Sequence, residues 1–397
     1  MYPSCHDRRL AVVRSQIAVL LGVIVLAGLL VSASAAQATS AVPEPAGSWR
    51  FIVSGDSRNC GDIVMPAIAA HSRQFSPSFY WHLGDLRAIY KIDEDMAYAA
   101  LKKGEALSCE NYQRIAWDDF VANQIAPFGG VTFYVGIGNH EVIPPKTEDA
   151  FERHFADWLD QSALQRQRLK DKEPAQPQPY YHWIQGGVDF VYLDNASGSF
   201  SDPQLLWLQH RLDAAKTDSS VRSIVVGMHE ALPDSLANDH SMGDGKSGPN
   251  ARPSGEKAYK ALASFHAESR KPVYILASHS HLYMENIFAS IPTRDGAKPL
   301  PGWIVGTAGA ERRMLPKDAP PSSKADVYGY LLGTVSAEGT IQFSFEEVRE
   351  SDVPLSVRQR YPATLVPWCF AHNSQNKDPD ATDITPRCAP PQSAPSH

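Results

Sequence analysis

The chain has 397 residues, 43% of them hydrophobic, with a formal net charge of -7 and a pI near 6.1. It is long enough for one large domain or two ordinary ones, and apolar enough for a sizeable packed core. The acidic balance excludes general, charge-driven binding to nucleic acid. It leaves a small phosphorylated substrate open, because a metal site supplies its own positive charge.

Arg8, Arg9 and Arg14 precede an apolar run from Ile17 to Val31, and Ala36-Gln37-Ala38 has the A-x-A form of a cleavage site. This three-part pattern predicts a signal peptide over residues 1–38 and a leader over 39–48. The mature protein is then exported, periplasmic or extracellular, with no membrane span after cleavage. An uncleaved anchor is the rival reading, against which the run is short for a ~20-residue span.

Beyond the leader, strand and helix patterns alternate. Arg50–Ser54 is predicted as a strand ending at Gly55-Asp56, and Gly61–Phe75 as a helix. Phe79–Leu83 is a second strand ending at Gly84-Asp85, followed by helices near 93–103 and 112–124. Val131–Ile137 is a third strand, ending at Gly138-Asn139-His140, with a helix after it near 148–159. The charged, Pro/Gln-rich segment 164–179 reads as a surface loop. Tyr180–Ile184 and Val188–Leu193, split by Gly186-Gly187, read as a hairpin. A helix over 203–216, a strand over 223–226 ending near His229, a long loop over 231–254 and a helix over 257–268 come next. Strands near 273–276, 283–288, 303–305, 328–335 and 340–345 complete the pattern. The order implies a layered α/β fold with mixed sheets. Residues 49–350 form the expected catalytic domain. Residues 351–397 are a Pro-rich tail pinned by its cysteines.

Cys5 falls within the signal, leaving Cys60, Cys109, Cys369 and Cys388. An even number in an exported chain suggests disulfides, and four cysteines allow three connectivities. The expected pairing joins chain neighbours, Cys60–Cys109 and Cys369–Cys388. A structural zinc site is the alternative, although no C-x-x-C spacing supports it.

The chemistry-bearing residues cluster at strand ends: Asp56, Asp85, Asn139-His140-Glu141, His229, and His279-x-His281. In layered α/β folds ligands collect beyond the carboxyl ends of strands. Carboxylate and imidazole there can converge on Zn, Fe or Mn. Any one of these elements alone reads as a turn or a packed histidine. Together, in this order, they form a pattern.

That order, D-x-(H or G), GD, GNH(D/E), H, GHxH, resembles the signature of the calcineurin-like metallophosphoesterases over roughly residues 48–347. The resemblance implies a four-layer αββα sandwich with two mixed β-sheets. It also implies an enzyme that hydrolyses phosphoesters at two divalent or trivalent transition-metal ions (Fe, Mn or Zn). Asp56, Asp85 and His281 would hold one ion. Asp85, Asn139, His229 and His279 would hold the other, with Asp85 bridging. His140 would act beside the substrate phosphate, and Glu141 would orient His140. The substrate class is a small phosphorylated compound, most simply a monoester. A phosphodiesterase and a non-catalytic metal- or phosphate-binding protein are the competing readings, and the oligomeric state is open.

Three positions depart from the family pattern. Arg58 stands where many members carry a ligating His, and a guanidinium cannot ligate because it stays protonated. Asn59 or water would then complete that shell. Ala88 stands where purple acid phosphatases supply a Tyr, with Tyr90 out of register, so a Tyr-ligated iron centre is not expected. Ser278 replaces the usual Gly. Arg58 is expected to grip the substrate phosphate through its two-pronged fork. The bland alternative turns it to solvent or pairs it with Asp62.

Overall fold

The computed structural model describes residues 47–237, 240–245, 247–291, 298–375 and 385–388. The expected signal peptide and nearly all of the leader lie outside the described residues. No helix among the described residues is long and apolar enough to cross a membrane.

Among the described residues, eleven strands form two sheets. The first holds β1 (Trp49–Ser54), β2 (Phe79–His82), β3 (Thr132–Val135), β10 (Tyr328–Val335) and β11 (Ile341–Val348), in the order β11-β10-β1-β2-β3. β1, β2 and β3 are parallel, whereas β10 and β11 are antiparallel additions at one side. The second holds β4 (Tyr181–Gln185), β5 (Val188–Tyr192), β6 (Ser223–Gly227), β7 (Val273–Ala277), β8 (Tyr283–Glu285) and β9 (Gly302–Val305), ordered β4-β5-β6-β7-β9-β8. Its four central strands are parallel and its two edges antiparallel. Both sheets are therefore mixed, as expected.

Alternation along each strand decides which sheet face meets what. In β2, Phe79 and Trp81 point toward the other sheet, where both meet Trp183 edge-on at 5.3 and 5.2 Å between ring centroids. Phe51 of β1 meets Phe190 of β5 in the same way at 5.0 Å. Tyr80 and His82 point the opposite way. Tyr80 reaches Met65 in the helix Gly61–Ser72, and His82 lies 3.0 Å from Ser57 Oγ. Aromatic pairs of this kind contribute about 0.5–1.5 kcal/mol each beyond the area they bury. On the outer face of the second sheet, Val191, Ile224 and Val226 pack with Leu208, Leu212 and Leu262 from the helices Asp202–Thr217 and Ala251–Ser269. Helix, sheet, sheet and helix make the four layers.

The helix Gly61–Ser72 contains Pro66, which cannot donate to the carbonyl of Asp62 four residues back. Arg360 Nη2 donates to that carbonyl at 3.4 Å instead. The segment 164–179 departs from expectation, because Ser162–Asp171 is a helix. Its Gln, Arg, Lys and Leu residues are good helix formers, Leu164 is buried, and Arg168 donates to Leu159 O at 3.0 Å.

The disulfides join Cys60 to Cys369 and Cys109 to Cys388, which corrects the neighbour pairing expected from the sequence. Spatial packing, not closeness along the chain, sets the partner. Cys60 precedes the helix Gly61–Ser72, against which Leu365 and Val366 of the helix Leu365–Ala371 join the core. Cys109 opens the helix Cys109–Phe120, while Lys91 forms a β-bridge with Arg387 that lays residues 385–388 beside it. The Cα atoms of the two pairs are 6.0 and 5.4 Å apart.

Candidate metal centre

The carboxyl ends of β1, β2, β3, β6 and β7 carry Asp56, Asp85, Asn139-His140, His229 and Ser278–His281. A strand must turn sharply to aim a side chain back across the sheet ends. Asp56, Asp85, His279 and His281 do so in the left-handed region, with φ of 59°, 61°, 64° and 44°. The connecting backbones touch. A Cβ on Gly84 would come within 2.6 Å of Gly138 N, and one on Gly306 within 2.6 Å of Asp56 Oδ2. Glycine at these positions lets the strand-end loops close on one another.

Two groups of ligand atoms result, Asp85/His229/His279 and Asp56/Asp85/His281. In the first, His229 Nε2 lies 3.0 Å from Asn139 Oδ1, 3.0 Å from His279 Nδ1 and 3.2 Å from Asp85 Oδ1. A single ring nitrogen cannot hydrogen-bond to all three. His229 Nδ1 lies 3.0 Å from the Leu83 carbonyl and donates to it, which leaves Nε2 as the atom that would offer its lone pair to a metal. These spacings match the edges of a polyhedron whose centre is about 2.1 Å from each ligand atom. Two imidazole nitrogens, a carboxylate and an amide oxygen suit a transition metal of the Zn, Mn or Fe type. The first group therefore fits a metal ion.

The second group differs. Asp56 Oδ1 lies 3.2 Å from His281 Nε2, and Asp56 Oδ1 and Asp85 Oδ2 are buried without hydrogen-bond partners. Arg58 enters among them. Its Nη2 is 2.7 Å from His281 Nε2, and its Nε is 3.6 Å from Asp85 Oδ2. Only 5% of Arg58 is exposed, so the solvent-facing alternative does not hold. Asp62, the partner in the other form of that alternative, instead meets Arg87. Asn59 does not supply a ligand either, because its amide donates to Glu94 and accepts from the Glu311 N–H. Burial works against the charge on Asp85, but His140, His229 and Arg58 outweigh it and hold its carboxyl well below the usual range.

His140 stands beside both groups, its Nε2 3.5 Å from Asp85 Oδ2. Glu141 does not orient its ring, which corrects the expected role. The His140 Nδ1–H donates to Ala88 O at 2.6 Å. The Glu141 carboxylate accepts the backbone N–H groups of Asp85, Leu86 and Gly138 at 2.9, 3.0 and 2.8 Å. Glu141 thus fastens the Gly84-Asp85 loop to the Gly138-Asn139 loop. A short turn following Asn139 leaves its side chain pointing back at these donors rather than along the imidazole. Ser278, in the usual Gly position, donates to Leu83 O at 3.0 Å.

The centre opens on a cleft of about 640 Å³, whose walls include Arg58, Tyr90, His140, Glu230, His240 and Arg313. Two residues escaped the sequence reading. Arg313 lies past Gly306-Thr307-Ala308-Gly309, the end of β9, with Nη1 2.8 Å from His240 Nδ1. The strand-end rule extends to that loop, but not to which of Arg312 and Arg313 faces the cleft. Asn195 follows β5, and its Oδ1 accepts the N–H groups of His229 and Glu230 at 3.2 and 3.1 Å, fixing the His229 backbone.

The fold, two mixed sheets between helices, is that of the calcineurin-like phosphoesterases. The structure is similar to that of purple acid phosphatase PPD1 from yellow lupin (Lupinus luteus) seeds, with a TM-score of 0.51 at 15% identity, over 77% of this chain and 52% of that one. The chain thus spans about half the length of the lupin protein. A structure of PhoD aligns over 76% of this chain and 69% of its own, at 15% identity and a TM-score of 0.47. No family model and no curated protein sequence matches the chain.

Proposed function

We propose that the protein is an exported metal-dependent phosphoester hydrolase, acting as a phosphomonoesterase on a small phosphorylated substrate. The observation that carries this reading is the gathering of donor atoms of Asp85, Asn139 and His279 around His229 Nε2, beside a cleft whose walls include Arg58 and Arg313. A metal ion among these donors supplies Lewis acidity and makes a water nucleophilic at neutral pH. Asp85, Asn139, His229 and His279 hold the ion, and Asn195 and Glu141 fix the loops that carry them. Arg58 and Arg313 bind the phosphate dianion and orient it, since a guanidinium donates parallel hydrogen bonds to two phosphate oxygens. A monoester dianion suits this pair of charges better than a diester. Burial and the nearby Arg58 charge lower the His140 pKa to about 4, so its free imidazole is neutral. An arriving dianion raises it again and lets Nε2 hold the proton that the leaving oxygen takes. Residues 49–350 form the catalytic domain, and Leu365, Val366 and Cys369 beyond it join the same core. The two disulfides support export, because such bonds persist in oxidising compartments.

Purified protein, stripped of metal and reloaded with Mn, Fe or Zn, should hydrolyse phosphomonoesters faster than diesters in a mixed panel. A diester preference would redirect the reading to a phosphodiesterase. Metal binding without turnover of any ester would leave a binding protein.

A further inference from the structure

We infer that the Arg58 guanidinium occupies the place of a second metal ion, so that this centre takes one ion and one built-in organic cation. The inference rests on the reading that Asp85, Asn139, His229 and His279 hold a metal. It concerns only the group formed by Asp56, Asp85 and His281.

The imidazole of His281 decides the matter. Its Nδ1 donates to the Glu311 carbonyl at 2.7 Å, so its one lone pair lies on Nε2. That lone pair faces Arg58 Nη2 at 2.7 Å. A guanidinium nitrogen has only hydrogens to offer, so the contact is an N–H donated to the ring. A metal on the same lone pair would stand about 2.1 Å from Nε2, inside the volume of the guanidinium. The other donors face the same cation. Asp85 Oδ2 lies 3.6 Å from Arg58 Nε, and the Asp56 charge also acts on the guanidinium. In the group formed by Asp85, His229 and His279, His229 Nε2 instead meets other ligand atoms, Asn139 Oδ1, His279 Nδ1 and Asp85 Oδ1.

The backbone around Arg58 is held in place. Arg58 O accepts the Cys60 N–H at 2.9 Å, and Cys60 is tied to Cys369. The next residue, Asn59, donates its N–H to Asp93 Oδ1 at 2.6 Å. The charge is also fixed in kind, because arginine does not lose its proton in proteins. Where a second metal would offer an exchangeable Lewis acid, Arg58 offers a permanent single charge and N–H groups that also line the cleft. Activation of water then falls to the remaining ion alone, and Arg58 serves binding and charge neutralisation.

The test is a count of Mn²⁺ on the full mature chain, stripped with a chelator, reloaded and desalted, with the EPR spectrum recorded. The expected result is one ion per chain with an uncoupled six-line spectrum. Arg58→His, which removes the guanidinium and supplies an imidazole, should raise the count to two and give an exchange-coupled spectrum. Arg58→Ala, which frees the His281 lone pair without adding bulk, is the second variant should the first fail to fold. His281→Ala should leave the count at one, whereas His279→Ala should bring it to zero. Two ions on the unaltered protein would overturn the inference and leave the metal-enzyme reading standing. No ion at all would overturn both. A count that stays at one in both folded Arg58 variants would also overturn the role given to Arg58.

Discussion

Replacing Arg87 with Met tests how the catalytic loops are braced. Arg87 is fully buried and faces Asp62, Asp93, Asp95 and Asp119, with Nη1 3.0 Å from Asp95 Oδ1 and 3.7 Å from Asp93 Oδ2. At an effective dielectric of about 20, a pair at 3 Å is worth roughly 5 kcal/mol before desolvation is subtracted. Met restores much of the volume but leaves the carboxylates facing one another. Breaking a buried pair in this way typically costs about 3–5 kcal/mol. The pH dependence has a definite sign. Burial and the charge of Asp62 already push the Asp119 carboxyl up to about 7, against the pull of Arg87. Without Arg87 the carboxyls of Asp95 and Asp119, both already raised, rise further above their unfolded values. Their contribution to the variant's stability is therefore present in acid and lost as the pH climbs through the raised values. Urea unfolding with both disulfides intact, at pH 5 and pH 8, should show a loss that is smaller at pH 5. A loss under about 1 kcal/mol at pH 8, or a larger loss at pH 5, would refute the reasoning. Activity should fall as well, because the next residue, Ala88, carries the carbonyl that aligns His140.

Asp85→Asn and His279→Ala should each lose bound metal and cut turnover by more than about 100-fold, the upper range for altering a residue merely behind a ligand. Metal content and circular dichroism on the same samples check this. Arg313→Ala should raise KM by about 10-fold with little change in kcat, the signature of binding lost equally from ground and transition states, read from steady-state kinetics. His182, buried between Asp171 and Asp189, has its pKa raised to about 9 because the two carboxylates outweigh its burial. Its contribution, on the order of 3 kcal/mol, is complete below pH 6.5 and disappears as the pH rises toward 9, so His182→Gln should flatten the unfolding midpoint over that interval. Cys60→Ser and Cys109→Ser should each lower stability by about 2–5 kcal/mol, but only the former, four residues beyond Asp56, should speed metal loss to a chelator.

The donors of the centre were legible because each follows an apolar strand and a glycine or another chain-reversing residue, a pattern local in the sequence. That the sheets are mixed followed from the order of strands, helices and turns, and that there are two from the family resemblance. What escaped depends on contacts across the fold. Arg58 and His281 are 223 positions apart, and nothing near either announces their hydrogen bond. The partners of Glu141 are backbone N–H groups of two separate loops, which no side-chain pattern records. The helix Ser162–Asp171 lacks an apolar stripe and depends on Leu164 and Arg168 reaching the body of the protein. The cysteine pairing needed knowledge of how the last helix packs.

The left-handed backbone at Asp56, Asp85, His279 and His281 sets fitness for catalysis against fitness for folding. Each such residue costs on the order of 1 kcal/mol or more, least for Asp, a noticeable share of the roughly 5–15 kcal/mol that holds a domain together. Glycine at any of the four would ease the chain while removing a polar side chain of the centre. A search for thermostable variants that ignores activity would therefore drift toward emptying this centre.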